Sequence, residues 1–271
     1  MTNLLLTNDD GYQSAGYVTL LRELSKRFTV TAVAPDREKS WIGKAITTRK
    51  EIPVTIVNKE EFEIFTLDAT PADCVQIGMY SIMPQKPDLV VSGINLGENA
   101  GNARILSSGT IGATMEAAFE GIRAIASSFS IPLPIKKSTN LYSPDGYPLF
   151  HHAAQITAAL TDTLSKMPPS PGADVLAISI PYHATLDTDV VVTRPFTDPY
   201  KQLFHTTRLG YLHSTPPLTF DDLKDGTDLK ALAQDKISVS PLDLSLSSPQ
   251  GIQATTAYLQ KTWHHHPKEP E

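Results

Sequence analysis

Two aspartates stand side by side, Asp9 and Asp10, directly after the apolar run Leu4-Leu5-Leu6 and Thr7-Asn8, and just before Gly11. Adjacent carboxylates in a crevice repel each other, and keeping both ionised there is costly without a cation. A bound metal ion is the simplest remedy. A plainer reading stays open on this stretch alone: Asn8 and Asp10 as turn and cap residues, Gly11 at a positive φ, and Asp9 merely solvated. Farther along come Ser40, in Pro35-Asp36-Arg37-Glu38-Lys39-Ser40-Trp41-Ile42-Gly43, and Asn95, in a segment dense in glycine and asparagine from Gly93 to Asn102. With the aspartates they offer oxygen donors and neither sulfur nor imidazole, which suits Mg2+, Mn2+ or Ca2+ better than a structural zinc. Ser108-Gly109-Thr110 opens a helical pattern and leaves N–H groups free at the positive end of the dipole, an anion site unless it is simply a capped helix. A hard cation beside such a helix start is what a phosphoryl group needs. The cation neutralises its oxygens and lowers the pKa of a bound water, and fixed N–H donors add charge stabilisation.

These groups act together only if the fold gathers them. Residues 4–6 read as a strand buried on both faces, and residues 14–26 place Tyr17, Leu20, Leu21 and Leu24 at helical spacing. Residues 28–34 alternate β-branched positions and end at Pro35, so the first 34 residues form a βαβ unit with parallel strands. Short strands are expected at 45–48, 52–57 and 62–67, with a hairpin-like turn at 58–61. Thr70-Pro71-Ala72-Asp73 signals a helix start, running to about Ile82. A buried strand at 88–92 feeds the glycine-rich segment, and the helix after Ser108 is followed by a strand at 123–128. Prolines 132, 134, 144 and 148 break the chain into loops before a helix at 151–166 and a strand at 174–180. Strand-like runs at 190–192 and 237–239 and a last helix at about 252–262 complete the expectation. Ligands of open α/β sheets bind beyond the carboxyl ends of the strands, so the four candidate sites can converge there.

Several function classes are disfavoured. A formal net charge of −6 argues against a nucleic-acid polymer as partner. The fingerprint G-x-G-x-x-G is missing after the first strand, and the Walker and G-x-S-x-G patterns are absent. No histidine precedes His151, which excludes a His-rich metal site built from the N-terminal half. The single cysteine, Cys74, allows no intrachain disulfide and reads as packing. The opening leucines are too few for a signal peptide, and no apolar run approaches a membrane span, so a cytoplasmic protein without a membrane partner is expected.

Four segments in register resemble the SurE (survival protein E) family of metal-dependent 5′/3′-nucleotidases and acid phosphatases. They are Thr7-Asn8-Asp9-Asp10-Gly11, Ala34-Pro35-Asp36-Arg37 with Ser40, Val91-Ser92-Gly93-Ile94-Asn95-Leu96-Gly97-Glu98-Asn99, and Ser108-Gly109-Thr110-Ile111-Gly112-Ala113. Gly226-Thr227-Asp228 followed by Ile237-Ser238-Val239-Ser240-Pro241 looks like that family's C-terminal signature. The resemblance implies a Rossmann-like three-layer α/β/α core with a mainly parallel sheet. Residues 1–130 would carry the metal and phosphate sites, and 131–271 would complete the domain and add a C-terminal hairpin and helix used in oligomerisation. It implies one divalent cation per subunit, Mg2+ or Mn2+ foremost, held by Asp9, Asp10, Ser40 and Asn95, with Asp9 or Asp10 accepting the proton of the attacking water. Substrate contacts would come from Asn8, Trp41, Gly43, Asn99, Ser107, Ser108, Gly109 and Thr110. The expected activity is hydrolysis of nucleoside 5′- and 3′-monophosphates by a homodimer or a tetramer. Two other readings are weighed against it, a non-catalytic nucleotide- or metal-binding protein and a sugar-nucleotide transferase. Two residues depart from the family pattern: Trp41, where a small residue is usual, and Ser107, where tyrosine is common. An indole beside the metal loop would stack on a nucleobase or narrow the entrance. His264-His265-His266 is read as a solvated tail without a role.

Overall fold

The computed structural model describes residues 2–197, 199–200, 202–214 and 222–263, so the histidine run at 264–266 lies outside the described residues. Its organising strand is β1 (Asn3–Thr7), buried along nearly its whole length. Alternation splits its leucines between two cores: Leu4 and Leu6 face one layer, Leu5 the other. The first layer is packed by α1 (Ala15–Ser25) and α6 (Tyr147–Ser165), with Tyr17, Leu20 and Phe150 fully buried. The second is packed by α2 (Pro71–Ile77) and α4 (Gly109–Phe119), through Cys74, Val75, Ile111 and Ala117. The result is a three-layer α/β/α arrangement.

The central sheet runs in the order β3-β4-β2-β1-β5-β6-β7-β11-β8. Its strands are β2 (Thr29–Pro35), β3 (Val54–Lys59), β4 (Phe62–Leu67), β5 (Leu89–Asn95), β6 (Arg123–Phe129), β7 (Val175–Ile180), β8 (Val190–Val192) and β11 (Ile237–Leu242). From β4 to β7 all neighbours are parallel, while β3 and β11 pair antiparallel with β4 and β7. The chain steps outward from β1 to β2 and β4, then returns to β5 on the other flank of β1. That reversal is a topological switch point, and it opens a crevice at the carboxyl ends of β1 and β5.

Three local expectations change. Residues 45–48 form no strand, because their polar groups go to the start of α2: Ala45 O accepts from Thr70 Oγ1 at 2.7 Å and Thr47 N donates to Asp73 Oδ1 at 3.1 Å. The Thr70–Asp73 pair forms a reciprocal capping box, as its spacing predicts, but α2 then widens into a π-helical turn over Gly78–Ile82. Two short helices replace expected loops, α3 (Asn102–Ser107) and α5 (Leu133–Ser138). In α5 the breaker Pro134 sits in the first turn, where a missing N–H costs nothing. Beyond the core lie a two-stranded hairpin, β9 (Phe204–Thr207) with β10 (Gly210–His213), then α7 (Asp228–Ala233) and α8 (Pro249–Thr262). Among the described residues no helix is long and apolar enough to cross a membrane.

Candidate functional site

The crevice beside β1 holds a cavity of about 820 Å3, and Asp9, Asp10, Ser40 and Asn95 all line it. The chain leaves β1 in a tight turn in which Asn8 Nδ2 donates to Gly11 O at 2.9 Å. The loop after β2 is drawn across by Lys39 N, which donates to Asp9 O at 2.7 Å, and this places Ser40 at the mouth. Asn95 ends β5, and its amide nitrogen donates to Gly97 O at 2.7 Å. That bond leaves the amide oxygen 3.4 Å from the Thr110 hydroxyl.

The start of α4 is pressed against the first aspartate. Thr110 Oγ1 donates to Asp9 Oδ1 at 2.6 Å, and a Cβ on Gly109 would lie 2.8 Å from Asp9 Cβ, so only glycine permits this approach. Ser108 caps the helix, its hydroxyl accepting from Ile111 N at 3.2 Å. Gly43, at a φ of +57°, donates from its N–H to Ser107 O at 2.9 Å, which ties the Ser40 loop to the helix start.

The substrate contacts expected from the sequence therefore divide. Trp41, Asn99, Ser107 and Ser108 line the cavity. Gly109 and Thr110 stand behind Asp9 and fix its orientation. Asn8 and Gly43 are off the cavity wall, and their hydrogen bonds shape the two loops instead. The amide nitrogen of Asn99 is buried without a partner, and the Ser107 hydroxyl donates to Ala103 O at 3.1 Å and meets the Tyr200 hydroxyl.

Electrostatics set the pair apart. Asp9 is 3% exposed and Asp10 4%. Burial raises the pKa of Asp9, although the Thr110 hydrogen bonds oppose it. Burial raises that of Asp10 well above the carboxylate range, the charge of Asp9 adds to it, and the bond from Leu96 N at 3.0 Å opposes it. Glu38 contributes a further negative charge to both. Lys136, whose ammonium donates to Leu96 O at 2.5 Å, is the opposing cation felt by Asp10. Among the described residues neither carboxylate makes an ion pair with a cation, and the oxygen donors around the pair are hard and neutral or anionic. That donor set fits a divalent cation of the Mg2+ class. Among the described residues no three His, Cys, Asp or Glu side chains form a metal-binding group, so such an ion would draw on serine and amide oxygens as well.

Sequence reasoning missed four groups. Glu38 accepts from Ser40 Oγ at 2.6 Å and from the Tyr142 hydroxyl at 3.3 Å; its place two residues before Ser40 was the available signal. Lys136 and Tyr142 line the same cavity from a proline-broken stretch that carries no periodic pattern. Asp228, in the C-terminal signature, accepts from Gly101 N, Phe196 N and Leu229 N at 2.7, 2.9 and 2.7 Å, and so anchors the glycine-rich segment from behind.

Comparison with known proteins adds independent findings. A family model described as "Survival protein SurE" matches residues 4–202. A "5'-nucleotidase SurE" of Methanocaldococcus jannaschii is 35% identical over 89% of this chain and 91% of its own length. One of Archaeoglobus fulgidus is 34% identical over 90% and 92%. The crystal structure of a SurE protein from Aquifex aeolicus superposes with a TM-score of 0.74 at 30% identity, covering 95% of this chain and 99% of that one.

Proposed function

The chain belongs to the SurE family, and from that premise we propose that it is a divalent-metal-dependent phosphomonoesterase that hydrolyses nucleoside 5′-monophosphates, and 3′-monophosphates as well, to nucleoside and phosphate. One observation carries the reading: two adjacent buried carboxylates at the switch point of the sheet, with the start of α4 packed against the first of them. The names of the relatives, 5′-nucleotidases, supply the substrate class.

Asp9, Asp10, Ser40 and Asn95 would hold the ion. When bound it supplies Lewis-acid neutralisation of phosphoryl oxygens and favours ionisation of water. The protein's own part is positional. Thr110 and Gly109 fix the Asp9 carboxylate, and Leu96 N fixes that of Asp10. Asn99 and Ser108, on the cavity wall, would contact the phosphoryl oxygens, while the Ser107 hydroxyl is held by Ala103 O and Tyr200. Asp9 or Asp10 takes the proton of the attacking water. Lys136 lines the same cavity, and its charge would offset that developing on the transferred group.

The test is phosphate release from a panel of 5′- and 3′-nucleoside monophosphates with EDTA, Mg2+ or Mn2+, for wild type and Asp9→Asn. Metal-dependent release, lost in the variant, supports the proposal. Nucleotide binding without release under every condition would replace it with a non-catalytic binding protein.

We further propose a homodimer. Helix α8 buries no residue in the monomer and leaves Ile252, Tyr258, Leu259 and Trp263 exposed, an apolar face that a second copy of the chain would cover. A monomer by light scattering at micromolar concentration would contradict this.

A further inference from the structure

The cavity mouth carries an aromatic cluster that the hydrolytic chemistry does not use. Trp41 follows Ser40 directly, lines the cavity and is 39% exposed. Its backbone sits at a φ of +59°, a left-handed conformation that bulky residues seldom adopt. Its ring is held from two sides. His213, on β10, meets it edge-on at 4.7 Å between centroids, and Tyr200 packs against it at 5.5 Å. Phe204, on β9, packs in turn against His213 at 5.5 Å, so the hairpin and the metal loop share one aromatic stack. Tyr200 is itself fixed, because its hydroxyl bonds to Ser107 and to Ala103 O. A strained indole braced by two further rings is a pre-organised surface, and its remaining exposed part borders the cavity.

We propose that Trp41 is the specificity-determining residue of the site, the platform on which the base of a nucleoside monophosphate stacks, and that the hairpin β9–β10 holds it there through His213. The proposal rests on the phosphomonoesterase reading and adds what that reading leaves open, namely the part of the substrate remote from phosphorus. A phosphate held at the Ser40 end of the cavity leaves its base one ribose away, at the reach of the residue next to Ser40. The other aromatic groups on the wall, Tyr142, Tyr182 and His183, come from segments remote from Ser40 in the chain. Tyr182 stacks against Phe129 at 6.0 Å and meets His183 edge-on at 4.8 Å, and the Tyr142 hydroxyl is bound to Glu38. Stacking tolerates every base because each has a π-face, and the larger purine rings gain most from it.

The protein has two tryptophans, Trp41 and Trp263, so Trp263→Phe leaves Trp41 as the sole indole emitter. That full-length variant is titrated, with Mg2+, against an adenosine phosphonate whose C–P bond is not hydrolysed and against methylphosphonate, which lacks the base. Saturable quenching by the first and none by the second is expected. In kinetics, Trp41→Ala should raise KM for purine monophosphates about tenfold to a hundredfold with kcat nearly kept. Hydrolysis of ribose 5-phosphate, which carries no base, should change far less than that of the purine monophosphates, and Trp41→Phe should restore most of the purine preference. His213→Ala, at a residue that reaches the cavity only through the Trp41 ring, should give the same change in weaker form. Calorimetric binding of the adenosine phosphonate with Trp41 emission unmoved would overturn the platform and leave the phosphomonoesterase intact. So would an unchanged or lowered KM in Trp41→Ala, which would make Trp41 a mere constriction. Absence of both binding and phosphate release would overturn the two proposals together.

Discussion

Two acidic positions at the same edge of the sheet meet opposite fates. Asp68 follows β4 and is met by three cations: Arg37 at 2.6 Å, Lys39 at 2.9 Å, and Lys50. The bonds from Lys50 and then Lys39 hold its pKa well below the usual carboxylate range. Asp9 and Asp10 follow β1, lie deeper, and are raised by burial. The loop after β2 serves both places by alternation. Arg37 and Lys39 turn to Asp68, while Glu38 and Ser40 turn to the cavity. Two cations of this loop were thus within one residue's reach of the inner pair, and the fold directs them to Asp68 instead. The difference teaches that negative charge in the cavity is a property the loop maintains, which makes sense where a positively charged ligand completes the site.

The sharpest way to break this contrast is Asp9→Asn. It removes one of the two inner charges while the amide still fits beside Gly109. We expect kcat/KM for nucleotides to fall by about 10^3 or more, measured at saturating Mg2+. The upward thermal shift that Mg2+ gives the wild type should vanish too. A variant within tenfold of wild type would show that the inner pair is not where the reaction occurs.

The second test reads the inner repulsion through pH. A carboxyl group whose pKa is higher folded than unfolded binds more protons in the native state over the interval between the two values. Stability therefore falls as pH rises from the unfolded pKa through the folded one, and the loss persists above it. In EDTA, the wild-type melting temperature should accordingly drop as pH climbs through the raised values of Asp9 and Asp10. Asp10→Asn should flatten that decline, and Mg2+ should reverse it in the wild type only. A pH profile identical in wild type and Asp10→Asn would mean that burial and the charge of Asp9 do not raise the Asp10 carboxyl in the native state.

Much of this was legible in the sequence, for a physical reason: residues that follow short buried strands of a parallel sheet must emerge at one edge. Asp9, Asp10, Ser40 and Asn95 could be brought together on that rule alone, and the structure places all four on one cavity. What stayed hidden depends on packing between distant segments. Residues 45–48 carry the β-branched pattern of a strand, yet the cap of α2 takes the hydrogen bonds a neighbouring strand would need. Lys136 lies in a stretch whose prolines read as breakers, and only the fold shows that they start a helix. Asn8 has the type and place of a ligand contact, but its amide closes the turn that aims Asp9 and Asp10. The hairpin β9–β10 is exposed on both faces, so no alternation marked it, and its role shows only in the rings it presents to Trp41.

The smallest effect should come from the outer site, and its smallness is the point. Asp68→Asn removes a charge that three cations share near the surface, where solvent and salt screen such pairs strongly. We expect a slight fall in melting temperature that shrinks further as NaCl is raised, with kcat/KM within about a factor of three of wild type. Arg37 and Lys39, released from Asp68, would gain freedom to swing toward the cavity. If the loop's alternation maintains the inner negative charge, the variant should bind Mg2+ more weakly at low ionic strength and regain wild-type affinity in salt. Equal affinity at every salt concentration would mean that the backbone, through the bond from Lys39 N to Asp9 O, fixes the loop by itself, and the two acidic positions would then be neighbours without being coupled.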